Sequence, residues 1–487
     1  MQSFIKKLVD YLGIDEEELL ERSQTPKKED VLCLTKYPEE GAIASSFNDF
    51  DKAVKFIADG IKANDKIAVY GDYDVDGITS ITVIKKFLKE RGLDVGYYIP
   101  NRLDEGYGLN KEAVEKIANE GYTLIITVDC GISGIEEIKY AYEKGMEVIV
   151  TDHHEPLEEL PQCVAVIDCK RKDNKYPFKN LAGCGVVFKL TQAISQKLNL
   201  DEKEYLKYLD IVCVGTISDI VPLVSENRVI TKLGLKLVKQ TRNMGLRAII
   251  NSSGYSQINS TTISFGVAPR INACGRMGKA EQALKLLLSK DIYEVNKLTQ
   301  ELNSYNRERQ EIEKEIFENV LTKIEQNNLA KNRTIVVGGE NWHHGVIGIV
   351  SSKITEKYFK PSILLSFEED GTGKGSGRSI PGFDLHEALM KCENCLEKFG
   401  GHSMAVGLTI KKENLEQFYK EFEKIAEENE IENIIPIINV DAKIELDKID
   451  KSVVEDLKQL EPFGEANKTP TFALKNIRID SIRALSE

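Results

Sequence analysis

Between residues 66 and 220 the chain alternates two patterns. Short runs rich in β-branched residues, KIAVY (66–70), TLIITV (123–128), MEVIV (146–150), VAVID (164–168) and DIVCVG (210–215), are almost wholly apolar, which predicts strands buried on both faces of a sheet. Between the first of them lie SITVIKKFLKERG (80–92) and KEAVEKIANEG (111–121), with apolar residues at helical spacing. Strand and helix in alternation predict an α/β fold with a parallel sheet and crossover helices. Residues 279–328 carry a longer pattern without Gly or Pro. Leu298, Leu302, Tyr305, Ile312, Ile316 and Val320 fall on one stripe, so one long helix, or two, should bridge to a second, smaller α/β unit. That unit opens with RTIVVGGE (333–340) and PSILLSF (361–367) and runs to about residue 430.

Composition narrows the class. With 487 residues the chain is too long for a single core, and 41% hydrophobic with 29% charged residues is the balance of a soluble globular protein. No uninterrupted apolar run reaches the ~18 residues of a membrane span. The opening MQSFIKKLVDYLGIDEEELLERS is amphipathic and broken by charge, which predicts an N-terminal helical segment over residues 1–50 and a cytoplasmic location by default. The nine cysteines are scattered through apolar segments, as reduced buried thiols are. Cys392 and Cys395 form a CxxC pair in a helical pattern, without the second pair a zinc site needs. A net charge of −13 speaks against a broad nucleic-acid surface but leaves room for a narrow cationic groove. Residues 261–280 hold Arg270, Arg276 and Lys279 and no acid, and residues 371–383 hold Lys374 and Arg378 and no acid.

The acids recur at one kind of place. In GDYDVDG, Asp72, Asp74 and Asp76 follow the first predicted strand; Asp129 ends the second, Asp152-His153-His154 follow the third, and Asp219 comes just after IVCV. In open α/β sheets ligands bind beyond the carboxyl ends of the strands, so four separate strands should deliver acids or imidazoles to one edge. A lone aspartate after a strand commonly caps the next helix, and His153-His154 could lie on a surface turn. D-x-D-x-D-G also opens a calcium loop, but the twelfth residue from Asp72 is Val83 where that loop needs a glutamate, and a strand precedes it. Oxygen-rich sites with one or two imidazoles suit Mn²⁺ or Mg²⁺ better than zinc. The number of carboxylates suits a pair of ions sharing one aspartate, the arrangement that serves phosphoryl transfer.

GDYDVDG, VDCG, TDHHEP and SDIVPL, in this order, resemble the four motifs of the DHH phosphoesterases. NRLDEGYGLN (101–110), APRINACGRMGKAEQAL (268–284), NWHHGVIGIVSSKI (341–354), GSGRSIPGFDLHEAL (375–389) and GGHSMAVGLTI (400–410) are similar to blocks of one branch, the RecJ-type single-strand-specific exonucleases. The resemblance implies a DHH domain over residues 51–280, a connecting long helix over 281–330 and a DHHA1 domain over 331–430, with the active site between the domains. It implies two Mn²⁺ or Mg²⁺ ions on Asp74, Asp76, Asp129, His153 and Asp219 with Asp72 close by. Asp129 would bridge them, and His154 would face the scissile phosphate as donor or general acid. Asp76, Asp129 and His154 would be the catalytic centre. Arg276, Arg378, Ser379 and His402 would meet substrate phosphates, and Tyr107 would stack on a base. The implied activity is 5′–3′ digestion of single-stranded DNA to 5′-mononucleotides in repair and recombination. A helicase and a single-strand-binding protein are the implied partners; no membrane is.

Two other readings differ in class: a phosphoesterase of very short oligonucleotides or cyclic dinucleotides, and a non-catalytic scaffold. The RecJ-type blocks around Arg276 and Arg378 disfavour the first, and the intact ligand set the second. LEPFGEANKTPTFALKNIRI (460–479) resembles the opening of an oligonucleotide-binding (OB) domain, so residues 431–487 are expected to form the start of such a domain, incomplete as a five-stranded barrel.

Overall fold

The computed structural model describes residues 49–63, 65–174 and 176–483. The helix expected within residues 1–50 lies almost wholly outside the described residues. The first unit begins with helix α1 (Phe50–Ala63) and is built on five parallel strands, β1 (Ile67–Gly71), β2 (Gly96–Tyr98), β3 (Leu124–Val128), β4 (Glu147–Asp152) and β5 (Ala165–Asp168), in the order β2-β1-β3-β4-β5. Helices α2 (Val75–Lys89), α3 (Lys111–Asn119) and α4 (Ile135–Glu143) connect successive strands. Alternate residues of each strand enter separate cores: Ile67, Val69, Leu124, Ile126 and Ile149 on one face, Ala68, Tyr70, Ile125, Val148 and Val150 on the other. Burial on both faces is why these runs read as apolar throughout. The strand order reverses between β1 and β3, and the crevice at such a reversal is where open α/β sheets bind ligands.

One predicted strand is a helix. DIVCVG lies in α6 (Leu209–Ser218), which follows α5 (Gly183–Lys197), and every residue from Leu209 to Ile217 is buried. The helix α6 packs on α2, on α5 and on the helix Ser225–Val238, so all its sides face protein. A short, uniformly apolar run cannot distinguish a buried strand from a helix buried all round. Three strands and one helix end, instead of four strands, therefore deliver the acids. The short strand β2 was not anticipated.

After a π-helical turn (Thr262–Val267) come α7 (Ala268–Arg276) and α8 (Ala280–Leu288), then α9 (Ile292–Gln326), 35 residues and about 50 Å long. The pattern over 279–328 is thus two helices, parted at Ser289-Lys290-Asp291, with Asp291 capping α9 through its side chain. Val295, Leu298 and Leu302 on α9 join the core of the first unit, whereas Ile316, Val320 and Ile324 join that of the second. A helix shared between two cores fixes the units relative to each other.

The second sheet runs β6 (Ile335–Glu340), β7 (Ser362–Phe367), β8 (Thr372–Arg378), β10 (Ala405–Lys411), β9 (Leu396–His402), with β6 and β7 parallel and the rest antiparallel. Helix α10 (His344–Tyr358) packs on β7 and β8. Helix α11 (Leu415–Glu428) closes the other face through Phe418 and Phe422. GTGKGSGRS (371–379) is mostly strand β8. Its glycines make room for neighbours: a Cβ at Gly375 would meet Leu365 at 2.6 Å and Leu408 at 2.9 Å. Cys392 and Cys395 are free, buried thiols just past a short helix (Leu385–Lys391), raised by burial to about 12 and about 11. Beyond residue 431, two short strands, β11 (Ala442–Lys443) and β12 (Phe472–Ala473), pair in parallel. No helix among the described residues is long and apolar enough to cross a membrane.

Candidate metal centre

The turn after β1 carries three aspartates to one place. Asp74 caps α2, its Oδ1 accepting from the backbone N–H of Asp76 at 2.8 Å and of Gly77 at 3.1 Å. Asp76 sits in the first turn of α2 with its carboxylate cradled by the start of α5: Gly183 N–H donates to Oδ2 at 2.6 Å and Cys184 N–H to Oδ1 at 2.9 Å. A helix N-terminus favours a negative charge there. The approach requires glycine, since a Cβ at Gly183 would lie 2.8 Å from Asp129 Cβ and 3.0 Å from Asp76 Oδ2. Asp129, just beyond β3, has φ of 59°, a left-handed backbone that aspartate tolerates better than most residues and that collects at functional sites.

His153 and Asp219 complete the cluster. His153 Nε2 lies 3.1 Å from Asp129 Oδ1, 3.6 Å from Asp219 Oδ2 and 3.8 Å from Asp76 Oδ2. Three sets of ligand atoms lie within 4.8 Å of one another: Asp72, Asp74 and Asp129; Asp76, His153 and Asp219; and Asp129, His153 and His154. Burial, reinforced by neighbouring carboxylates, pushes Asp72, Asp129 and Asp219 well above the usual carboxylate range. Burial also raises Asp76, and it lowers His153, which favours the neutral imidazole that ligates metals. Asp72 Oδ1, His153 Nε2 and Asp219 Oδ2 are buried without a hydrogen-bond partner among the described residues. Buried polar atoms are ordinarily satisfied, so three unsatisfied ligand atoms in one cluster fit hard divalent cations.

His154 is held differently. Its Nδ1 meets Asp152 Oδ1 at 2.8 Å and the Tyr107 hydroxyl at 3.1 Å, while Tyr107 also donates to the Asp129 carbonyl at 3.3 Å. Asp152 is fully buried and accepts from the backbone N–H of Ile132, His153 and His154. Burial works to lower the His154 pKa, but its hydrogen bond to Asp152 and that carboxylate's charge outweigh it, and the net shift is upward. Tyr107, expected as a stacking platform, is 49% accessible and has its hydroxyl engaged with the site. Asp152, Gly183 and Cys184 were not singled out as site residues in the sequence. Asp152 stood inside the DHH triplet, and LAGCG held two glycines at a helix start.

Facing the acids is a set of arginines. Arg276, at the end of α7, donates to the Gly345 carbonyl at the start of α10 at 2.9 Å. Arg378, at the end of β8, donates to Ser376 Oγ at 3.0 Å. Burial, and then the charges of Arg102, Arg309 and Arg378, lower Arg276 to about 10, still protonated at neutral pH. Arg102 faces both this group and Asp72, and it lies over the Tyr73 ring. Neither Arg102 nor Arg309 was anticipated. Ser379 is not brought to the cleft: it is buried, and its hydroxyl donates to the Phe383 carbonyl at 2.7 Å. His402 lies exposed at the β9–β10 turn, at the same end of the sheet as Arg378 but two strands away.

Comparison with known proteins agrees with this arrangement. Residues 66–216 match the DHH family N-terminal domain, residues 331–428 the DHHA1 domain and residues 440–487 the RecJ OB domain. The chain is 40% identical over 451 residues to the single-stranded-DNA-specific exonuclease RecJ of Bacillus subtilis, covering 91% of this chain and 56% of that protein. It is 34% identical over 444 residues to the enzyme of that name from Dickeya dadantii, covering 86% of this chain and 77% of that one. The crystal structure of RecJ with Mn²⁺ from Thermus thermophilus superposes with a TM-score of 0.80 at 31% identity, covering 97% of this chain and 68% of that one. With domain order, fold and sequence in agreement, the chain belongs to the RecJ family of single-stranded-DNA-specific exonucleases.

Proposed function

We propose that this chain hydrolyses phosphodiester bonds of single-stranded DNA from the 5′ end, releasing 5′-mononucleotides, with two Mn²⁺ or Mg²⁺ ions. The observation that carries the reading is the cluster of unsatisfied, mutually repelling ligand atoms lying close to a set of arginines. Asp72, Asp74, Asp76, Asp129, His153 and Asp219 would hold the ions, with Asp129 shared. When bound, such ions lower the pKa of an attacking water and stabilise charge on the phosphate oxygens. Asp152 orients His154 and favours its protonated form, from which the ring can donate to a phosphate oxygen. Arg276, Arg378, Ser376 and the first turns of α10 bind and orient the phosphates next to the bond that breaks.

The hydrogen bond between Arg276 and Gly345 joins α7 of the first unit to the start of α10 in the second. Repair and recombination, with a helicase and a single-strand-binding protein alongside, are the setting this activity suits. The test is digestion of 5′- and 3′-labelled single strands and duplexes with Mn²⁺, Mg²⁺ or chelator. Metal-dependent release of the 5′ label as mononucleotide, from single strands alone, is expected. Release of the 3′ label first, or digestion in chelator, would refute the reading.

A further inference from the structure

A second cationic pocket lies outside the cleft. It has a volume of about 440 Å³ and is lined by Arg270, Gln300, Asn303, Asn306, Arg307 and Gln310: two guanidiniums, four amides and no carboxylate. The last five lie along one face of α9, a helix that carries eight glutamates. None of those glutamates lines the pocket, a composition that favours an anion.

Among the described residues, Arg270 has only neutral hydrogen-bond partners. Its Nε donates to Asn303 Oδ1 at 2.7 Å and its other nitrogens to the carbonyls of Gly266 and Ser252. Arg91, Arg171, Arg309 and Arg333 all pair with carboxylates, but Arg270 does not, and burial lowers its pKa uncompensated by any acid. Beside it the π-helical turn Thr262–Val267 exposes Phe265, 69% accessible, and Tyr255, 43% accessible, packs against Gly266. Exposed rings next to guanidiniums without acid partners are what single strands bind, bases stacking and phosphates paired. The pocket lies close to the cleft. Asn306 lines it and accepts from Arg309 at 2.6 Å, Arg309 stands among the charges around Arg276, and Arg270 and Arg276 lie about 9 Å apart along α7.

Resting on the proposed function, we infer that this pocket, with Phe265 and Tyr255 at its rim, grips a second stretch of the single strand outside the catalytic cleft. Its phosphates would pair with Arg270 and Arg307. The test measures binding of hydrolysis-resistant phosphorothioate strands, a trinucleotide and one of about twenty nucleotides, with Mg²⁺ present. The variants are Arg307→Gln alone and Arg270→Gln with Arg307→Gln, checked for folding by circular dichroism. Affinity of the double variant for the long strand should fall on the order of tenfold. Its dependence of log affinity on log salt should flatten by about 0.7 for each phosphate that is no longer neutralised. The trinucleotide should lose much less. Phe265→Ala should weaken the long strand with its salt dependence unchanged, because stacking releases no counterions. Equal losses at both lengths, or none at either, would overturn the inference while an unaltered chain that digests single strands leaves the functional reading standing. If the unaltered chain neither binds nor digests them, both fall.

Discussion

The carboxylate cluster beyond β1, β3 and β4 and the guanidinium cluster between α7, β8 and α10 carry opposite charge and are built alike. In the first, burial and like charge raise Asp72, Asp129 and Asp219 and leave Asp72 Oδ1, His153 Nε2 and Asp219 Oδ2 without partners among the described residues. In the second, burial and like charge lower Arg276 and Arg378, and no described carboxylate compensates either of them. Other buried charges are paired: Arg171 with Asp49 and Asp173, and Lys189 with Glu226 at 2.9 Å. A buried charge without a partner is costly, so two unneutralised clusters side by side mark where a ligand supplies what the protein lacks. Cations complete one cluster and phosphates the other.

The strongest way to break the comparison is Asp129→Asn. Loss of a partner that merely orients a ligand costs ~10–100-fold in metal affinity or activity, and loss of a shared ligand should exceed that. The folded chain should persist, since one repelling charge is gone. Saturating Mn²⁺ should raise the melting temperature of the unaltered chain by about 5–10 °C and that of the variant hardly at all. Substantial cleavage by the variant would show that Asp129 is not shared between ions. Arg276→Ala acts on the other cluster. Losing a charged hydrogen-bond donor to a phosphate should raise KM roughly tenfold to a hundredfold at low salt, with kcat less affected. A large fall in kcat with KM unchanged would place Arg276 at the reacting phosphate instead.

Asp152→Asn sharpens the division between holding ions and moving protons. Activity should drop ~10–100-fold while the Mn²⁺-induced rise in melting temperature is kept, because Asp152 orients His154 and is not itself among the ligand groups. Loss of that rise would make Asp152 part of the metal centre. The smallest effect separates two serines. Ser379→Ala should cost about 1 kcal/mol of stability without changing strand affinity, whereas Ser376→Ala, beside Arg378, should weaken strand binding several-fold. The reverse pattern in a salt-titrated binding assay would restore Ser379 to the cleft.

Much of this was legible in the chain. The all-apolar runs marked four of the five strands of the first sheet, because burial on both faces leaves no polar alternation. The aspartates and histidines just after them pointed to one edge, because parallel strands end on the same side. The third-and-fourth-residue stripe on α9 was legible because a helix repeats its buried face at that interval, and Leu302 and Val320 each reach a core. The exceptions share one cause. DIVCVG is uniformly apolar as a helix, so periodicity carried no information about it. Ser379 and Ser376 stand three residues apart in one glycine-rich stretch, and only the pairing of β8 with its neighbours sends one hydroxyl inward and the other toward Arg378. Asp76 acquires its cradle from Gly183 and Cys184, more than a hundred residues away. Except for a uniformly apolar run such as DIVCVG, local sequence determines which element forms and which residues leave its end. Which distant amide, guanidinium or carboxylate each of them meets is decided only when the sheets close, because those meetings depend on packing between segments that carry no mark of one another.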